Sequence, residues 1–146
     1  MFSDKNLVYI LTVLEAIEKL FIYSGDFDNA HDFWQHNNQI NYNASTTLLI
    51  AIGEETKKID SALKNKFPEI QWKAISDLRN RLAHDYRGTD PDILWQIITE
   101  ELDALKKALI EILSFVSFKK EMLEEALQSE YYKNIQYLRE LKTLKK

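Results

Sequence analysis

Apolar residues recur at spacings of three and four along nearly the whole chain, and only three glycines and two prolines interrupt them. That period belongs to the α-helix, and so few breakers leave room only for short connections. The expected fold class is all-α, an up-and-down helical bundle of about five principal helices. At 146 residues the chain is expected to form one domain, 1–146, able to bury a core without covalent staples. It has no cysteine, which excludes disulfides and thiolate metal sites.

Taken in order, Ser3-Asp4 can cap a first helix whose apolar face is Leu7, Ile10, Leu11, Leu14, Ile17, Leu20 and Phe21, ending near Gly25. A short segment follows from Asp26 to Trp34, then a polar connection through Asn37-Asn38-Gln39 and Asn41-Tyr42-Asn43. A long helix is expected from about Ala44 to Lys66. Gly53 inside it costs roughly 1 kcal/mol against alanine, which marks a place where another backbone approaches closely. Glu54 beside it is either a solvated charge or a partner for an arginine.

Phe67-Pro68-Glu69 ends that helix, and the fourth runs from Glu69 to Ala83. Asp90 as N-cap and Pro91 at the first helical position start a long stripe from Ile93 to Leu113. From about Lys119 to Lys146 an additional helix is expected, acidic at its start and basic at its end, as the helix dipole favours.

The net charge of -4 argues against coating nucleic acid by bulk electrostatics, yet residues 72–87 concentrate Lys73, Arg79, Arg81 and Arg87 against Asp77 and Asp85. No apolar run approaches the ~20 residues of a membrane span, and the first residues do not read as a secretory signal. A cytoplasmic protein with no membrane partner is expected. No glycine-rich phosphate loop or nucleophile elbow is present. No cofactor is indicated, and no histidine–carboxylate cluster has metal-ligand spacing; His31 and His36 read as surface or structural residues.

The departure from plain amphipathic pattern is Arg79-Asn80-Arg81-Leu82-Ala83-His84-Asp85-Tyr86, just before Gly88. One account is ordinary: His84 caps a helix end, the arginines are solvated, and Asp77 and Arg81 form an i,i+4 pair. The other is RNA cleavage without a metal. An imidazole exchanges protons near neutrality and can act on a ribose 2'-hydroxyl or the leaving oxygen. A guanidinium grips phosphate oxygens and stabilises the charge of the transition state. Geometry constrains that second account. Residues 79 and 84 are five apart, so a regular helix points them ~140° away from each other. Either the helix end distorts or a second chain completes the site.

These residues resemble the R-x4-H-x-Y signature of the HepT-like branch of the HEPN family. The likeness extends to Ile52-Gly53-Glu54-Glu55, to Phe67-Pro68-Glu69-Ile70-Gln71-Trp72 and to Trp95, covering about residues 4 to 115. The resemblance implies a homodimeric helical-bundle ribonuclease toxin paired with a minimal nucleotidyltransferase antitoxin. It carries over Arg79 as phosphate-binding residue, His84 as acid/base and Asn80 as polar support. Tyr86 matches the tyrosine that the antitoxin modifies with AMP. Arg81 lies outside the signature and serves at most to attract RNA. The expected reaction is metal-independent attack by a 2'-hydroxyl on the adjacent phosphodiester of a tRNA or mRNA, leaving a 2',3'-cyclic phosphate. The rival expectation is a dimeric module that binds RNA or a nucleotidyltransferase without cutting.

Overall fold

The structure, a computed structural model, describes residues 2–131 apart from the side chain of Tyr86. Its helices are α1 (Lys5–Ser24), α2 (Ala30–Lys58), α3 (Ser61–Lys64), α4 (Trp72–Asp85), α5 (Pro91–Gln96), α6 (Leu102–Ile112) and α7 (Lys120–Leu127). Short 3-10 turns follow α4 at Tyr86–Gly88 and α6 at Leu113–Phe115, and a π-turn at Ile97–Glu101 joins α5 to α6. The described residues are all-α, with a lone bridge between Phe2 and Val116 in place of any strand. Among them no helix is long and apolar enough to cross a membrane.

The expected face of α1 forms the centre of the molecule. Leu7, Ile10, Leu11, Leu14, Ile17 and Leu20 are buried, and α2 and α6 pack around them with Leu49, Ile52, Leu105, Leu109 and Ile112. Asp4 makes no side-chain cap; the Lys5 N–H donates to Ser3 Oγ at 3.3 Å. Buried Asn6 does more. Its amide donates to the Ser3 carbonyl at 2.9 Å and to Asp60 Oδ2 at 3.2 Å, and accepts the Asp60 N–H at 3.0 Å. These bonds tie the start of α1 to the junction of α2 and α3.

Three boundaries differ from the sequence expectation. The long helix begins before Ala44: α2 runs from Ala30, capped by Asn29, and is broken by non-helical backbone at His36–Gln39. The expected connection is thus present at Asn37-Asn38-Gln39 but does not extend to Asn41-Tyr42-Asn43. Asn37, Asn38 and Gln39 take φ of 46, 55 and 70° there. Such left-handed residues cost roughly 1–2 kcal/mol each, less for asparagine, whose short side chain tolerates the region. The asparagines beyond the kink are helical because Tyr42 is buried against Phe33 and Asn41 donates to the Tyr23 carbonyl at 2.9 Å. At the other end α2 stops at Lys58, not Lys66, where Ile59 turns extended and is buried.

The fourth helix starts at Trp72, not Glu69. The Trp72 indole N–H bridges the carbonyls of Lys64 and Phe67, both at 3.1 Å, and so holds the preceding loop in place. Asp90 caps α5 as expected, accepting the Asp92 N–H at 2.9 Å with Pro91 in the first turn. The expected continuous stripe to Leu113 is instead interrupted by the π-turn. In the C-terminal region α7 covers Lys120–Leu127; the expected continuation through Arg139, Lys142, Lys145 and Lys146 lies outside the described residues.

Candidate functional site

α4 packs chiefly on α2, and Leu82 is its one buried side chain. The contact is made possible by Gly53. A Cβ there would lie 2.2 Å from Arg79 Cβ, 2.8 Å from Arg79 Cγ and 3.3 Å from the Ile75 carbonyl. Only a residue without a side chain lets the stem of Arg79 cross α2 at this point. The close approach expected at Gly53 is therefore with α4, directly beneath the first arginine of the motif.

The same crossing places Glu54 against the guanidinium. Arg79 Nη2 donates to Glu54 Oε1 at 2.7 Å, and Nη1 donates to Asn80 Oδ1 at 3.0 Å. Glu54 is thus a partner of Arg79 rather than a lone solvated charge. The pair is half open to solvent, with the Arg79 side chain 32% and the Glu54 side chain 48% exposed, so its role is placement more than stability. The hydrogen bond from Arg79, and then its charge, holds the Glu54 carboxyl below the usual glutamate range. A carboxyl lowered in this way favours the folded arrangement above its ordinary value. That contribution fades as pH falls through the lowered one.

A guanidinium has five N–H donors. Two are used by Glu54 and Asn80, and Nε is buried with no acceptor. Beside it a recess of about 260 Å³ is lined by Glu54, Lys57, Lys58, Ser76, Arg79 and Asn80. Two lysines and an arginine around one carboxylate suit an anion that can share or displace Glu54.

His84 is exposed in the last turn of α4, which stays α-helical through Asp85. The helix end does not distort to bring it round to Arg79, so on this chain the two face different directions. Arg81, three residues from His84, is also exposed. Asp77 pairs with Lys73 at 2.8 Å rather than with Arg81. The Tyr86 backbone opens the 3-10 turn; its side chain lies outside the described residues. His31 and His36 lie against the rings of Trp34 and Phe27, with centroids 6.1 and 5.1 Å apart. Among the described residues no three histidine or carboxylate side chains gather as a metal site needs.

Sequence reasoning found the contiguous residues on α4 and offered Glu54 on α2 as either a solvated charge or an arginine's partner, but it named neither Arg79 as that partner nor Lys57 beside it. Lys57 and the bond to Glu54 depend on the register of the crossing, for which Gly53 was the available signal.

Comparison with known proteins bears directly on this arrangement. The family described as ribonuclease HepT-like matches residues 13–112, which include Gly53, Glu54 and the whole of α4. The "Putative RNase MJ1380" of Methanocaldococcus jannaschii is 32% identical over 99 residues, covering 68% of this chain and 88% of that protein. The "Probable ribonuclease HepT" of Thermococcus cleftensis is 38% identical over 55 residues, 38% of this chain and 50% of that protein. No solved structure gives a significant match. On the extent of the family match and the coverage of its relatives, the chain belongs to the HepT-like ribonuclease family.

Proposed function

We propose that the chain is a metal-independent endoribonuclease that acts as a homodimer, the toxin of a pair whose antitoxin is a nucleotidyltransferase. The observation that carries this reading is the split of the motif on one regular helix. Arg79 is fixed against Gly53 and Glu54, while His84 is exposed on another side of α4. A second copy can bring its His84 to the first copy's Arg79, as one chain cannot. α4 also has an unfilled apolar flank suited to such a contact. Ala74, Ile75 and Leu78 face Ile97, Leu102 and Leu105 across a recess of about 310 Å³.

In this site Arg79 binds the non-bridging oxygens of the phosphodiester and stabilises the charge they gain. The His84 imidazole accepts the 2'-hydroxyl proton as O2' bonds to phosphorus. The P–O5' bond breaks, the leaving oxygen takes a proton from water, and a 2',3'-cyclic phosphate remains. Asn80 steadies the guanidinium through its side-chain oxygen, and Arg81 adds attraction for the RNA backbone. AMP on Tyr86 would place bulk and negative charge beside the phosphate site and block it.

The Glu54–Arg79 bond favours one rival, a silent dimeric module, because the carboxylate occupies a donor that phosphate would use. The test is incubation of purified protein with total RNA in EDTA, with end-group analysis of the products. The enzyme reading predicts cutting that leaves 2',3'-cyclic phosphate ends. Absence of cutting by a chain whose intact mass shows no added AMP would overturn it in favour of the module.

A further inference from the structure

Beyond His84 the chain turns through Tyr86–Gly88 toward α5, and a second recess opens on the flank of that turn. Trp34, Gln39, Tyr42, Arg87, Thr89 and Pro91 enclose about 360 Å³. That lies within the ~300–1,000 Å³ range of small-ligand sites. Arg87 follows His84 by three residues, about 6 Å along a 3-10 path. A strand whose scissile phosphate lies at His84 therefore has a neighbouring nucleotide beside this recess.

Its lining comes from parts of the chain far apart in sequence, brought together by the kink in α2. The left-handed run of Asn37, Asn38 and Gln39 brings half-buried Gln39 to the same recess as Arg87. Trp34, on the turn before the kink, is half-buried and borders two recesses. On one side His31 stands with Asp90 and Asp92, whose carboxylates repel a nucleotide's phosphate. On the other are an amide, a guanidinium and the Tyr42 hydroxyl. Burial and then the Asp90 carboxylate push that hydroxyl above its usual value, so it stays a proton donor. An aromatic face, an amide able to donate and accept, and one cation are what a nucleobase with an attached phosphate requires.

We propose that this recess is a base-binding subsite for an RNA nucleotide flanking the scissile phosphate. The base stacks on Trp34, the Gln39 amide reads its edge, and Arg87 holds the phosphate that follows. This rests on the ribonuclease reading above and adds to it a source of base preference. The adenine of an AMP carried on Tyr86 offers the same chemistry from the adjacent residue, so the two sources need separating.

The experiment uses the full chain as His84→Ala, which binds RNA without cutting it, at an intact mass showing no AMP. Oligoribonucleotides A6, C6, G6 and U6 are titrated while tryptophan fluorescence is followed. The same is done with Trp34→Phe, Trp34→Leu and Gln39→Ala added, each checked for unchanged helical content. The expected result is quenching that disappears in Trp34→Phe. Affinity should fall about tenfold in Trp34→Leu, in the range of one lost stacking contact, and base preference should flatten in Gln39→Ala. RNA affinity and preference unchanged in every variant would overturn the proposal. So would quenching that is absent from this protein and seen only in a separate preparation whose intact mass carries AMP. The readout needs no cleavage, so the two readings fail separately. Trp34-dependent binding by a chain that cuts nothing would leave the subsite standing without the enzyme. Cutting with a preference that Trp34 and Gln39 do not affect would do the reverse.

Discussion

His84→Ala is expected to lower the rate of RNA cleavage by about 10²–10⁴-fold, the usual worth of a positioned acid or base. The folded state should hardly notice. His84 is exposed at the end of α4, and an exposed substitution of this kind normally shifts stability by no more than about 0.5 kcal/mol. That separation is what makes the variant informative. Arg79→Ala is a less clean probe, because it also removes the partner of Glu54 and the stem that crosses Gly53. Single-turnover cleavage of one RNA substrate, alongside a thermal melt, checks the expectation. A loss of activity matched by an equal loss of helix would reassign His84 to the fold.

Gly53→Ala is expected to do the opposite and act through the fold. In an open helix the change would add up to ~1 kcal/mol of helix propensity. Here the new Cβ would stand 2.2 Å from Arg79 Cβ, an atom fixed to the α4 backbone and unable to swing aside. α4 must then move off α2, and overpacking of this kind costs about 1–3 kcal/mol. A net loss of about 1–2 kcal/mol should lower the melting temperature by roughly 3–7 °C in a chain of this size. Cleavage should fall with it, since the guanidinium leaves its place beside Glu54. Differential scanning calorimetry decides the sign, and a raised melting temperature would mean that the helices do not meet at Gly53.

Gly53 also shows why some of this architecture could be read from residues alone. A glycine inside a good helix has few reasons to be there, and close approach is the main one. The apolar face of α1 and the Asp90–Pro91 start of α5 were legible in the same way, since each is set by residues adjacent on one turn. The break at Asn37–Gln39 was legible as a connection, but the return to helix immediately beyond it was not. Asparagines suit a turn as readily as a left-handed kink, and burial of Tyr42 decides that helix resumes beyond it. The π-turn at Ile97–Glu101 lies within a run whose apolar spacing reads as plain α-helix.

The candidate site divides along the same line. Arg79, Asn80, Arg81, His84 and Tyr86 were visible because they fall within eight positions of one segment. The bond from Arg79 to Glu54 spans 25 positions, and the recess joining Trp34 and Gln39 to Arg87 spans still more. Local spacing does not encode contacts that depend on how two helices cross.

Arg79 of one subunit is expected to work with His84 of another. The direct measurement is cleavage in EDTA by Arg79→Ala and His84→Ala proteins, each alone and then mixed so that subunits exchange. Each variant alone should be nearly inactive, because every composite site lacks one partner. In a mixed dimer one of the two sites regains both residues, so an equal mixture should recover about a quarter of wild-type activity. A mixture no more active than its components, once exchange is shown to have occurred, would contradict a site shared between two chains.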